Sequence, residues 1–417
     1  MKIRGIKNLV SFVMVIICPA FAHSQVQGCT DPLAGNYNAI ATINDGSCVY
    51  TATAYTPVIK IDPITDSLVE GSGLQMAGNY LWSFNDGGNT PTLYRIDTAT
   101  NALLQRVILS GVTNIDWEDI AFDGTYFYIG DFGNNLNGAR KDLKIYKFPL
   151  SAIPDYATNP VVNLAAQQTT IISFTYSDQP QPPVATTSNN TKYDCEAMIV
   201  DNGKIHLFTK NWVDNNTTHY IINGVDAGAY IAVPVETLAT NYLVTAADKI
   251  AGQNIIILLG YQNSGTGNHY LHILSDYKAD SFFSGNKRRI DLPDAITMGQ
   301  SEGITFRNNK YGYISNEKFV RSVGPFTITV NQKLRSFDIG SFVTDHFTKY
   351  TFTGNGKWSD MTNWKYNLVP PFTLVAGNEI IIDPVAGGMC ELDIPYTMPA
   401  GVKVTVNAGK KFLVKEN

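Results

Sequence analysis

The 417-residue chain repeats one short pattern along most of its length. One unit reads EDIAF from Glu118, then Asp123 and Gly124, then YFYIGD ending at Asp131. Another reads EAMIV from Glu196, then Asn202 and Gly203, then KIHLFTK ending at Lys210. A third runs EGITF from Glu302, through Asn308 and Asn309, to YGYISN ending at Asn316. The earliest starts EGSGL at Glu70, passes Gly78 and Asn79, and ends YLWSFND at Asp86. A fainter copy puts Asp248 in the acidic position and Asn254 to Tyr261 in the second strand. An apolar strand, a turn of Asn, Asp or Gly, and an apolar–aromatic strand make a β-hairpin. A third strand usually follows, as in Thr92 to Asp97 and Lys333 to Asp338, and then a more variable fourth. Four strands per roughly 50 residues is the pattern of a propeller blade. The chain is therefore expected to be all-β, with residues 55–345 forming a five- or six-bladed β-propeller. The strand from Pro57 to Asp62 precedes the first unit and can complete the last blade, since an open ring leaves sheet edges unpaired.

Composition agrees. Charged residues are 16%, against a usual ~25%, while Tyr and Phe number 22 and 20. Such a balance favours strands. The N-terminus reads as a signal peptide over 1–22. Lys2, Arg4 and Lys7 precede an apolar run from Leu9 to Cys18, and Ala20–Ala22 offers a small-x-small cleavage site. The run is short of the ~20 residues that a membrane span needs. Cleavage removes three basic and no acidic residues, taking the formal charge from −5 to −8. No basic run appears, so nucleic acid is not an expected partner. Export to the medium or the cell surface is expected, with a small molecule, glycan or protein as the class of partner.

Residues 27–52 read as a separate small module bracketed by Cys29 and Cys48. An exported chain with so few apolar residues there needs a disulfide to hold it. Asp31, Asn36, Asn38 and Asp45 offer oxygens for Ca²⁺ or, alternatively, only turn-forming side chains. Cys195 and Cys390 lie in strand-like stretches and read as buried thiols, with a pairing between them left open. Residues 350–417 change texture, with GNGKWSDMTNW from Gly354 followed by short strands, and suggest a small β-solenoid or β-sandwich. Trp358 and Trp364 there suit core packing better than a sugar platform.

The repeat implies a site. Inner strands line the axis of a propeller, so Glu70, Glu118, Glu196 and Glu302 are expected around one mouth, with Asp248 as a fifth. Second strands run back to that face, which brings Asp86, Asp131, Lys210, Asn211, Asn316 and Glu317 near. Converging carboxylates repel unless compensated. A hard cation such as Ca²⁺, basic partners, or backbone N–H groups of neighbouring blades can each do so. No HExxH, nucleophile elbow, P-loop or GxGxxG occurs, and His269 and His272 point to opposite faces of a strand.

The segments DWEDIAFDGTYFYIGDFGNN, YDCEAMIVDNGKIHLFTKNW and QSEGITFRNNKYGYISNE resemble bacterial secreted propellers of the phytase-like group, also described as having esterase-like activity of phytase. Calcium-dependent lactonase propellers are similar in placing a Glu before an inner strand. The cysteine segment GCTDPLAGNYNAIATINDGSC resembles a module that recurs in bacterial secreted proteins, and the C-terminal G-x-W…NW pattern resembles surface-protein β modules. The resemblance implies a metal-dependent phosphoester or lactone hydrolase using the carboxylate ring. The residues themselves favour a binding protein whose acidic mouth holds a ligand, with or without Ca²⁺.

Overall fold

The computed structural model describes residues 25–264, 266–344, 349–365, 369–370, 374, 378–398 and 400–414. The leader over 1–22 lies outside them. No helix among the described residues is long and apolar enough to cross a membrane.

The body is a β-propeller of five blades. Their inner strands are Gly71–Ala77, Trp117–Phe122, Cys195–Asp201, Leu243–Lys249 and Gln300–Phe306. These pack side by side in a closed ring, the fifth against the first. Each pairs antiparallel with a second strand: Tyr80–Asn85, Tyr126–Asp131, Lys204–Thr209, Ile255–Tyr261 and Tyr311–Glu317. The fifth blade is closed by Val58–Ile61, which pairs with Lys333–Asp338 as its outer strand. The chain thus joins its two ends in one sheet, and the ring needs no sixth blade. The outer strands of blades 2 and 3, Thr170–Tyr176 and Gly228–Leu238, pair in parallel and fuse those blades into an eight-stranded sheet.

Hairpin turns cluster at one end. Asn79 and Gly78 have φ of 68° and 54°, and Asn202 and Gly203 have 49° and 73°. Two consecutive left-handed residues are what a tight two-residue hairpin requires, which is why Asn and Gly recur there. All five turns ring a cavity of about 820 Å³, and Asp360, Met361 and Thr362 from the C-terminal segment also line it.

Cys29 and Cys48 are joined by a disulfide. In this N-terminal segment the candidate calcium oxygens make turns. Asp31 accepts from Leu33 N and Tyr50 OH, Asn36 from Val49 N, Asn38 from Ile40 N, and Asp45 from Ser47 N. Thr30 and Asn44 donate to Asp276 and so fasten the segment to blade 4. At the other end, six short strands form two parallel three-stranded sheets, Lys349–Phe352, Glu379–Ile382 and Lys403–Val406 in one and Gly356–Lys357, Met389–Leu392 and Lys411–Val414 in the other. Successive strands alternate between the sheets, which is the winding of a β-solenoid. Trp358 and Trp364 are buried edge-to-face at 4.7 Å, in one apolar core with Ile250, Phe306 and Phe337 of the propeller. Cys195 and Cys390 are buried free thiols.

Candidate functional site

One irregularity recurs in every blade. The inner strand slips by one residue against its partner, and the extra residue is Gly73, Glu118, Glu196, Thr245 or Glu302. A β-bulge of this kind bends the strand and re-aims one side chain. In three blades that side chain is a glutamate at the mouth opposite the turns. In blade 1 it is absent, because Gly73 sits at φ +64° with Phe84 Cζ only 2.8 Å from where a Cβ would lie. In blade 4 Thr245 donates to Ser301 O at 2.7 Å and ties two blades together.

The repeat register read from sequence is corrected at two positions. Glu70 precedes the bulge and lies exposed on the rim, where it accepts from Asn89 Nδ2 at 2.9 Å. Asp248 follows the bulge and lines the turn-end cavity instead of the mouth. Its carboxylate accepts from Phe306 N at 2.6 Å, Thr305 Oγ1 at 3.1 Å and Lys249 N at 2.7 Å. Spacing to the turn carried the true register. Gly73 precedes Gly78–Asn79 by the same distance as Glu118 precedes Asp123–Gly124.

The mouth gathers more acid than the repeat suggested. Carboxylate oxygens of Asp86, Asp116 and Glu118 lie within 4.8 Å of one another, and so do those of Glu118, Asp194 and Glu196. Glu118 belongs to both groups. Burial, and then the neighbouring carboxylates, push Asp116 up to about 7 and Glu118 well above the usual range. Asp86 is raised to about 6, mainly by burial, although Gly87 N donates to it at 2.5 Å. Two glycines make the room. A Cβ on Gly133 would strike the carboxylates of Glu118 and Asp116, and one on Gly87 would come within 2.7 Å of Ile115 O and as close to Asp116. All the donors are oxygens, the set that suits a hard cation such as Ca²⁺ rather than zinc or copper.

The other candidates divide into contact and support. Lys210 is buried at the mouth and donates to Glu196 Oε2 at 2.5 Å and to Tyr261 OH at 3.1 Å. Burial opposes its charge, but Glu196, Tyr261, Glu302 and Asp194 outweigh this and hold its pKa well above the ordinary value. Tyr261 OH in turn donates to Glu302 Oε1 at 3.1 Å, which also accepts from Gln300 at 2.8 Å. Glu317 is half-buried beside Glu302 and Asp86, and burial with those neighbours raises its pKa well above the usual range. Asp131 supports from behind. It accepts from Arg140 at 2.8 Å and from Asp116 N at 3.1 Å, while Arg140 also donates to Gly133 O at 2.8 Å. Asn211 caps its own turn, accepting from Val213 N and Asp214 N. Asn316 donates to Glu317 O and Asn331 O and shapes the loop there. Asp131 and Asn211 thus spend their polar groups on the protein, while Asn316 does so through Nδ2 alone and its buried Oδ1 has no partner among the described residues.

Sequence reasoning missed Asp116 and Asp194, which stand two residues before Glu118 and Glu196. The signal was present as D-x-E in blades 2 and 3, with Q-x-E in blade 5. Asp194 accepts from Asn134 N at 2.6 Å and Trp212 Nε1 at 2.7 Å, so it also clamps blade 2 to blade 3.

No family model matches this chain, and no curated protein is similar to it. Several solved structures share its outline. The PQQ-bound aldose sugar dehydrogenase of Streptomyces coelicolor is 10% identical with a TM-score of 0.38, covering 67% of this chain and 96% of its own. An α-L-arabinanase of Penicillium chrysogenum is 10% identical with a TM-score of 0.33, covering 70% and 100%. A DUF4623 family protein of Bacteroides eggerthii is 10% identical with a TM-score of 0.35, covering 70% and 78%. Likeness at this level says nothing of activity.

Proposed function

We propose that this chain is an exported binding protein that holds Ca²⁺ at the acidic mouth of its propeller and engages a ligand there. The observation that carries the reading is the sharing of Glu118 between two carboxylate groups. Among the described residues the Glu118 carboxylate accepts no hydrogen bond; Gly133 leaves space against it, and Gly87 leaves space against Asp116. Asp86, Asp116 and Glu118 would hold the cation, with Asp194 and Glu196 on its far side. A bound dication would offset both the burial and the mutual repulsion that raise the pKa of these groups. Arg140 and Asp131 fix the backbone of Asp116 and Gly133, next to the strand that carries Glu118.

Titration calorimetry with CaCl₂ tests this. Saturable binding that disappears in Glu118→Gln supports it; no heat of binding in the wild type rejects it.

A second reading is a Ca²⁺-dependent hydrolase of phosphoesters or lactones, in line with the phytase-like sequence resemblance. It is favoured by the chain of hydrogen bonds from Glu196 through Lys210 and Tyr261 to Glu302, which can store and move a proton beside the carboxylates. The cation would supply Lewis acidity there. Calcium-dependent turnover of phosphoester or lactone panels, reduced in Tyr261→Phe, would favour it; binding without turnover would leave the first reading standing.

A further inference from the structure

Beside the carboxylates, a cavity of about 190 Å³ opens in the wall of the mouth. Its lining combines Trp212, Tyr261 and Phe319 with Gln262, Gln300 and Arg321. We propose that this cavity is a saccharide subsite, a reading that rests on ligand binding at the mouth and names the class of ligand.

The first argument is how the cavity is built. Blade 5 carries a hairpin, Phe319–Val323 with Phe326–Val330, inserted between its second and third strands. Among the described residues no other blade has a hairpin at that position. Phe319 and Arg321 are two apart, so they project from one face of their strand and both reach the cavity, while Val320 between them is 58% exposed on the other face. The insertion turns an open funnel wall into a pocket.

The second argument is the chemistry of the lining. Aromatic rings offer flat faces to the C–H faces of a sugar ring. Planar amides and a guanidinium offer paired donors and acceptors to adjacent hydroxyls. Arg321 forms no ion pair among the described residues and is exposed at the lip, free to meet a hydroxyl pair or a sugar carboxylate. The volume is below the roughly 300–1,000 Å³ of drug-sized pockets, so it suits one ring of a longer chain.

The third argument is coupling to the acidic cluster. The Lys210 ammonium lies 5.0 Å from the Trp212 ring and 5.2 Å from the Tyr261 ring. Trp212 Nε1 donates to Asp194 and Tyr261 OH to Glu302. Both aromatic walls are therefore locked before any ligand arrives, which lowers the entropy cost of binding. A sugar ring held there would extend its next unit over Glu196 and Glu118.

Tryptophan emission gives a direct readout. Of the five tryptophans, Trp82, Trp117, Trp358 and Trp364 are buried, so a ligand-induced change reports Trp212. The full mature protein is titrated with trisaccharides of glucose, galactose, arabinose, mannose and galacturonic acid, once with CaCl₂ and once with EDTA. At least one trisaccharide is expected to shift the emission saturably, with affinity about tenfold weaker in Phe319→Ala at unchanged melting temperature. Loss on Arg321→Ser for galacturonate alone identifies an acidic sugar; an equal loss for a neutral one identifies hydroxyl recognition. No shift with any of the five, or a shift unaltered in Phe319→Ala, overturns the subsite. Calcium binding by a protein that ignores all five trisaccharides rejects this inference alone. Trisaccharide binding in EDTA by a protein that takes up no calcium rejects the metal reading alone.

Discussion

Two sets of carboxylates sit on or beside the inner strands of the propeller, and they are handled in opposite ways. Asp119 and Asp248 lie on the turn side of the bulges. Asp119 accepts from Met198 N of the next blade at 2.7 Å and from Ile120 N at 2.8 Å, and Asp248 reaches Phe306 N of its neighbour. Glu118 and Asp116 lie at the mouth. Burial raises the pKa of both sets, but the next largest influence differs. For Asp119 and Asp248 it is backbone N–H groups, which favour the charge; for Glu118 and Asp116 it is other carboxylates, which oppose it. One set staples adjacent blades. The other gathers repulsion at a single opening, where an added positive charge would relieve it.

The largest effect expected from this contrast is on stability. Asp119→Ala leaves two buried N–H groups without an acceptor, at ~1–3 kcal/mol each, so a loss of about 4 kcal/mol is expected in denaturant unfolding. A loss under about 1 kcal/mol would make the staple decorative and dissolve the distinction.

pH dependence comes next. Unfolded aspartate ionises near 3.8, while Asp86 and Asp116 in the native mouth keep protons to about 6 and about 7. The native state therefore binds more protons across that interval, and stability falls as pH rises from about 4 to about 7. After discounting for partial exposure, a fall of about 2 kcal/mol is expected in metal-free protein. Asp248, raised to about 7, adds to it. The double variant Asp86→Asn, Asp116→Asn should flatten the mouth's share and leave that of Asp248. An unchanged pH profile would show that the mouth carboxylates do not interact.

The smallest effect has the opposite sign from the first. Glu118→Gln removes a group whose ionisation the native mouth opposes and should raise the stability of metal-free protein by about 1 kcal/mol near neutral pH. Destabilisation of the metal-free form would mean that Glu118 serves the fold as Asp119 does.

Much of this was legible in the sequence, for reasons that single out what was not. The hairpin repeat is written in paired apolar runs around Asn, Asp or Gly turns, so blades, inner strands and the closing strand near Val58 were readable. The five-fold count rests on the pairing of Val58–Ile61 with Lys333–Asp338, a contact between distant parts of the chain. The bulge leaves no mark in these apolar runs, since one extra residue changes no composition. For that reason Glu70 and Asp248 were aligned with Glu118 although Gly73 and Thr245 hold its place. Asp116 and Asp194 were overlooked because their role depends on which way the bulge turns them. The hairpin bearing Phe319 and Arg321 lies outside the repeated pattern, and only its position over the mouth gives it a role.

The most direct test of the account is scanning calorimetry of the protein with CaCl₂ or EDTA near neutral pH, in wild type and in Glu118→Gln. The account predicts a higher melting temperature with calcium for the wild type and little or no rise for the variant. A wild type that melts at the same temperature in both buffers, or a variant that gains as much from calcium, would contradict it.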